Sequence, residues 1–302
     1  MRFLDKFLVV LALLMFGQAL FRAVVEKGSE FGTLSRRPPP AVEAPREPSR
    51  ALRPDEQPAP RRLSRQTAML PPISERDPVI GVNPSQPRQA NQRSIGTAFA
   101  VGRDGAWLTA KHVIDDCNRV LIRRGNAWDT AAVDFADAVI DIAVLRARAG
   151  VPLLPVTAGP LGIGEDGYAF GFAGQGGPSA IHATLLGRAR TVHGGRNGGS
   201  TPVLAWAERE WLPPGERWIG GMSGGPLTTQ EGAVAGIMSV ASERRGRIYT
   251  VAPEVIGRVM RDRGLAFTPA VAAPVAADHD SFDRARAELM NRRTVVQVLC
   301  TG

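Results

Sequence analysis

Between residues 94 and 251 the chain is a succession of short β-forming runs separated by turn residues, and this spacing limits its fold more than any other feature. Residues 95–101 lead into Asp104-Gly105, residues 107–110 follow, and 119–123 and 131–135 flank Gly125-Asn126. Further runs cover 138–145, 168–172, 181–191, 203–207, 233–240 and 248–251. No helix-length periodic segment separates consecutive runs, so a parallel βαβ sheet is excluded and an all-β sandwich or barrel is expected. Beyond the strands, Pro253 suits a first helical turn, and a helix is expected over 254–263, ending at Gly264. A short helix over 282–293, capped by Asp280-Ser281, and a last strand over 294–300 complete the reading.

The flanks differ in character. Arg2 and Lys6 precede an apolar run over 7–16, and Gly17-Gln18-Ala19 offers the small residues of a signal-peptidase site. The apolar stretch can also be read on to Val25, about the ~20 residues of a bilayer span. Residues 1–25 are therefore read as a signal peptide or a membrane anchor, with membrane association through residues 7–25. Either reading places the rest of the chain outside the cytoplasm, periplasmic or extracytoplasmic, released after cleavage or anchored in the inner membrane. Residues 26–80 hold 11 prolines and few apolar side chains, too few to offset the entropy of ordering, and read as an extended linker. Residues 81–265 form the β-rich domain, and 266–302 a C-terminal extension of linker, short helix and strand.

Composition removes several function classes. Apolar residues make up 44% and charged residues 22%, so neither a disordered acidic tail nor a multi-span membrane protein fits. The net charge of +8 is spread along the chain; Arg244, Arg245 and Arg247 are its densest cluster. A nucleic-acid partner is not expected, because such proteins concentrate charge on one face or stripe. Two cysteines, Cys117 and Cys300, are too few for a disulfide-stapled mini-scaffold or a four-thiolate zinc site. His182 and His193 have no Cys or His at ligand spacing, so no metal is expected, and no cofactor. Gly162-Ile163-Gly164-Glu165-Asp166-Gly167 spells GxGxxG, yet strand-like residues follow where dinucleotide binding needs a helix.

Three local patterns carry chemistry. Thr109-Ala110-Lys111-His112 presents a histidine at the end of a strand. Asp141-Ile142-Ala143-Val144-Leu145 sets a carboxylate in an apolar run read as one strand over 138–145. Gly221-Met222-Ser223-Gly224-Gly225-Pro226 sets a serine in a glycine-rich turn. Singly, each has a bland structural meaning: a surface histidine, a bend, a flexible turn. Together they supply what serine hydrolysis needs. An imidazole takes the hydroxyl proton, a poorly solvated carboxylate fixes its tautomer, and backbone N–H groups meet the developing oxyanion.

At these residues the sequence resembles the trypsin/chymotrypsin-like serine proteases, closest to the bacterial HtrA-like branch. The order His112, Asp141, Ser223 and the separations of 29 and 82 residues match that clan. The resemblance implies two six-stranded β-barrels of the chymotrypsin-like type with a C-terminal helix and extension. It implies His112 as general base, Asp141 as its orienting group and Ser223 as nucleophile, with the N–H groups of Gly221 and Ser223 as oxyanion hole. Arg217, Trp218, Ser239, Val240 and Ala241 would bind substrate around the primary specificity pocket. Arg217 points away from basic specificity and Trp218 narrows the pocket, so small or medium apolar side chains are expected. The implied substrate is a polypeptide; oligomeric state is not legible.

Two departures matter. HtrA-like proteins usually carry a PDZ domain, and the 37 residues after 265 are too few for one. Met222 stands where digestive members place the aspartate that pairs with a freed N-terminus, so trypsin-style zymogen activation is not expected. Cys117 and Cys300 are an even pair in an oxidising compartment; they either bridge, closing a loop of over 180 residues, or remain two buried thiols. Two rival functions use the same residues: a catalytically silent protease-fold binding or scaffold module, and an esterase with the same triad.

Overall fold

A computed structural model describes residues 68–82, 93–157, 159–174, 176–193, 199–215, 218–266 and 278–302. The targeting segment, most of the Pro-rich linker and Arg217 lie outside the described residues. Among those described, no helix is long and apolar enough to cross a membrane.

Two antiparallel barrels carry the chain. The first is a closed barrel built from β2 (Ser94–Ala100), β3 (Ala106–Thr109), β4 (Arg119–Arg124), β5 (Ala127–Ala136), β6 (Ala143–Arg146) and β13 (Val295–Thr301), in the order β13-β2-β3-β6-β5-β4. The second uses β7 (Asp166–Ala173), β8 (Gly177–His193), β9 (Ser200–Leu212), β10 (Pro226–Thr228), β11 (Val234–Ser242) and β12 (Arg247–Val251). They run in the order β8-β7-β10-β11-β12-β9, and a β8–β9 pairing closes the ring. The chain is thus all-β with two six-stranded barrels, as the resemblance implies, where the strand spacing alone left a sandwich or a barrel. Strand alternation separates two cores. Phe99, Leu108, Val144 and Val295 join Met222, Leu227 and Ile237 of the second barrel in a shared core. Their neighbours Ala98, Trp107, Leu145, Val296 and Val298 pack together with Val113 and Ile122 as a separate one.

The last strand lies in the first barrel. β13 runs antiparallel between β2 and β4, with Val295 opposite Phe99, Cys300 opposite Ser94, and Leu299 opposite Leu121. Its Val-Val-Gln-Val-Leu-Cys-Thr sequence is suited to a pleated, buried position. Ahead of it α3 (His279–Asn291) starts one turn earlier than its sequence suggests. The cap is Asp278, whose carboxylate accepts the Ser281 N–H at 2.9 Å, while Asp280 sits inside the first turn, where its charge favours the helix dipole. Phe282 anchors this helix against Tyr168 and Phe170.

One further segment differs from the sequence reading. Residues 68–82, of which 68–80 are read as Pro-rich linker, are strapped to the second barrel. β1 (Val79–Val82) pairs in parallel with β8, and Leu70 N–H donates to Leu161 C=O at 2.8 Å. Arg188, paired with Glu254, also donates to Pro71 C=O. A four-residue strand among prolines was hidden by its surroundings. Helix α2 (Pro253–Asp262) agrees with expectation, with Pro253 in its first turn and Val255, Ile256, Val259 and Met260 buried.

Cys117 and Cys300 form a disulfide between the segment just after His112 and β13, at a sequence separation of 183. In the chain-entropy account a loop of that size stabilises by up to about 5 kcal/mol. The double variant Cys117→Ser/Cys300→Ser should lower the urea-unfolding free energy by several kcal/mol while the protein still folds. A loss under about 1 kcal/mol would mean that the bridge contributes little here, as happens when the unfolded chain is already compact.

Candidate active site

The site lies between the two barrels and starts from a single helical turn. After β3 the chain enters α1 (Lys111–Ile114), whose Val113 and Ile114 are buried. With those two side chains inward, the His112 imidazole is left 34% exposed. No side chain of the turn's own cap residue satisfies its N-terminus; instead Asp141 Oδ1 accepts the His112 backbone N–H at 2.9 Å. Asp141 Oδ2 lies 2.8 Å from His112 Nδ1. One carboxylate therefore fixes both the backbone and the ring of the histidine.

Asp141 is not inside a strand. The run 138–145 breaks because Asp137 Oδ1 accepts the N–H groups of Val139 and Ile140, both at 2.8 Å, and turns the chain through a bend. Asp141 sits at the end of that bend, before β6, with 5% of its surface exposed. Burial pushes its pKa up, but the attraction of His112 and the hydrogen bonds from the His112 ring, Ser239 and the His112 backbone outweigh it. They hold the carboxyl down at about 2. It is a carboxylate at neutral pH.

The serine loop is shaped by what its glycines approach. Gly221 and Gly224 have φ of +96° and +84°, a region closed to most side chains. A Cβ on Gly224 would lie 2.2 Å from Thr97 O, 2.3 Å from Thr109 Oγ1 and 2.8 Å from Ala110 N. The loop thus rests directly on the segment that ends, two residues later, in His112. Ser223 itself is half-buried, and its C=O accepts the Thr97 N–H at 2.8 Å.

The same loop orients two N–H groups. In a trans peptide the C=O and the following N–H point in opposite directions. Gly220 C=O accepts from Gly174 N–H at 3.1 Å, so Gly221 N–H points away from Gly174. Met222 C=O accepts from Gly225 N–H at 2.9 Å, so Ser223 N–H points away from Gly225. Among the described residues neither N–H has an acceptor. Two oriented, unused donors beside a serine can receive a developing oxyanion. Met222 is fully buried in the shared core and anchors the loop by packing.

The specificity residues are placed unevenly. Ser239 lies at the β11 bulge, and its hydroxyl donates to Asp141. Val240 packs outward with Ala189, Val203 and Tyr249. Ala241 packs against the shared core, as does Ile219. Trp218 is 65% exposed, with Nε1 2.5 Å from where a Gly220 Cβ would lie. The sequence reading missed Thr97 and the bond from Ser239 to Asp141. The one signal for Thr97 was a polar residue in an otherwise apolar strand. Among the described residues no group of three or more His, Cys, Asp or Glu could hold a metal ion. The GxGxxG segment is a turn entering strand β7.

One carboxylate bonded to both the backbone N–H and the ring of a histidine, a serine on a glycine loop and two barrels are the features of the class of trypsin-like serine proteases. Residues 96–237 match the trypsin-like peptidase domain. The chain therefore carries a trypsin-like peptidase domain homologous to the HtrA, DegP and DegS serine proteases. It is 30% identical over 162 residues to the mitochondrial serine protease HTRA2 of Bos taurus, covering 53% of this chain and 34% of that protein. It is 29% identical over 82 residues to the serine endoprotease DegS of Escherichia coli K12, covering 26% and 23%. The chain spans about a third or less of the length of the curated relatives it matches. The active form of the Rv3671c protease from M. tuberculosis shares the fold, with a TM-score of 0.50, 21% identity and coverage of 68% of this chain and 99% of that one.

Proposed function

We propose that this protein is an exported serine endopeptidase that cleaves polypeptides through His112, Asp141 and Ser223 and an acyl-enzyme intermediate. The observation that carries the reading is the pairing of His112 Nδ1 with a buried, ionised Asp141, beside a loop in which the N–H groups of Gly221 and Ser223 have no acceptor among the described residues. Asp141 keeps the ring proton on Nδ1, leaving Nε2 to take the proton of Ser223 as its oxygen attacks the substrate carbonyl. The tetrahedral oxyanion is received by the two N–H groups. The protonated imidazole then delivers its proton to the leaving amine, and water repeats the sequence to release the acyl group. Met222, packed in the core where an ion-pairing aspartate would be needed, supports activity without N-terminal trimming. Trp218 beside the loop supports selection of small or medium apolar side chains.

An extracytoplasmic location, periplasmic and either released or anchored in the inner membrane, is supported by the apolar run over 7–25, by the disulfide, and by a relative named as a probable periplasmic DegP-like endoprotease. The test is fluorophosphonate labelling of the full-length protein with a proteome-wide cleavage profile. The expected result is labelling of the wild type at Ser223 and cleavage after small or medium apolar residues. Ester turnover without peptide cleavage would make the protein an esterase, and no labelling under native conditions would make it a silent binding module.

A further inference from the structure

We infer that Thr97 is a positioning residue that presets the oxyanion hole from the opposite barrel; the inference rests on the peptidase reading above. Thr97 is fully buried at 0% exposure on β2, a first-barrel strand. It touches the serine loop at both residues to which the peptidase reading assigns the oxyanion hole. Its hydroxyl donates to Gly221 C=O at 2.7 Å, and its backbone N–H donates to Ser223 C=O at 2.8 Å. The hydroxyl oxygen also accepts Phe172 N–H at 3.1 Å, and its own C=O accepts Thr109 Oγ1 at 2.7 Å. Every polar atom of this residue is committed to the active site or to the strands that flank it.

The physical need for such a residue lies in the loop's composition. Gly220-Gly221 has little intrinsic preference between peptide orientations, because glycine accepts positive and negative φ alike. Turning the Gly220–Gly221 peptide over would aim Gly221 N–H away from the substrate and empty half of the hole. Two hydrogen bonds on adjacent carbonyls oppose that turn: Gly174 N–H on Gly220 C=O and the Thr97 hydroxyl on Gly221 C=O. Gly174 closes the β7 end next to Phe172, and Phe172 N–H is held by the same Thr97 hydroxyl. One oxygen atom thus connects both restraints. A substitution that deletes it leaves a buried carbonyl and a buried N–H unpaired, and both are relieved when the loop moves. Thr97 also links the Ser223 loop to Thr109, three residues before His112, so the hole and the base are registered to one strand.

The test compares Thr97→Val, Thr97→Ala and Thr97→Ser in the full-length protein, with p-nitrophenyl acetate as the substrate and a fluorophosphonate as the labelling probe. Thr97→Val should lower kcat and the labelling rate about 10- to 100-fold, short of the 10²–10³ seen when an oxyanion donor is deleted outright. KM should change less than about threefold, because ground-state binding does not use the hole. Thr97→Ser, which keeps the hydroxyl, should recover most of the loss. A purely structural role would lower the melting temperature of all three without this split. If Thr97→Val does not fold, the Ala and Ser variants, which differ only by the hydroxyl, carry the same comparison. Equal kcat in Ala and Ser, or a Val variant within twofold of wild type, overturns the inference. An inactive, unlabelled wild type would instead overturn the peptidase reading.

Discussion

Ser223→Ala is expected to lower kcat by about 10⁶-fold and Asp141→Asn by about 10⁴-fold, with KM changed little in either. The serine variant loses the only atom that can form the acyl bond, and what remains is the oxyanion hole and substrate binding. The asparagine variant keeps the geometry and fails for another reason. Both oxygens of Asp141 accept: Oδ1 from the His112 backbone N–H, and Oδ2 from Nδ1–H and the Ser239 hydroxyl. An asparagine offers one acceptor and one NH2. The backbone N–H can only donate, so it retains the amide oxygen. The NH2 then faces Nδ1, which must become an acceptor, and the ring proton moves to Nε2. That nitrogen now donates toward Ser223 and cannot take its proton. Steady-state kinetics on p-nitrophenyl acetate, with fluorophosphonate labelling, measures both variants. Ser223→Ala retaining more than a hundredth of wild-type turnover would place the nucleophile elsewhere, and Asp141→Asn within tenfold would remove the carboxylate from the mechanism.

The same substitution changes acid stability in a defined direction. The folded-state pKa of Asp141, about 2, lies below its ordinary value of 3.8. Its contribution is therefore present above about pH 4 and is lost as pH falls through 2, a difference of about 2 kcal/mol. Chemical denaturation of wild type between pH 4 and 2 should show this slope, and Asp141→Asn should show a flatter one. Equal slopes would mean that the carboxyl titrates normally in the folded protein.

Much of this site was legible because its signals are local. His112, Asp141 and Ser223 each sit in a short motif, and the strands that present them carry period-2 patterns that any sequence window contains. What could not be read depends on distant partners. Asp141 was placed in a strand because residues 138–145 are apolar; the bend comes from Asp137, whose side chain prefers its own backbone neighbours to a ladder. Nothing near Ser239 in sequence reveals that its hydroxyl donates to Asp141, 98 residues earlier. Thr97 reaches Gly221 across 124 residues, and β1 was masked by prolines on either side. The last strand was visible as a strand, but its slot between β2 and β4 was not, since strand pairing at that separation has no local cue.

That slot makes the C-terminal nine residues as necessary to the first barrel as any strand beside His112. Deleting residues 294–302 is expected to abolish the folded state. Val295, Val296, Val298 and Cys300 are all buried. At about 1.5–3 kcal/mol per side chain their removal costs about 6–12 kcal/mol, as large as the ~5–15 kcal/mol that a typical domain has in total. The deletion also opens the ring, leaving the ladder groups of β2 and β4 without partners on one edge each. The disulfide cannot account for the effect, because its loss is bounded at about 5 kcal/mol and leaves every strand pairing in place. Far-UV circular dichroism melts and fluorophosphonate labelling measure the outcome: no cooperative transition and no labelling for the deletion, with both retained in Cys117→Ser/Cys300→Ser. A synthetic peptide covering residues 292–302 should restore part of the labelling by refilling the gap. A truncated protein that melts cooperatively and labels at more than a tenth of the wild-type rate would show instead that five strands suffice to hold His112 against Asp141.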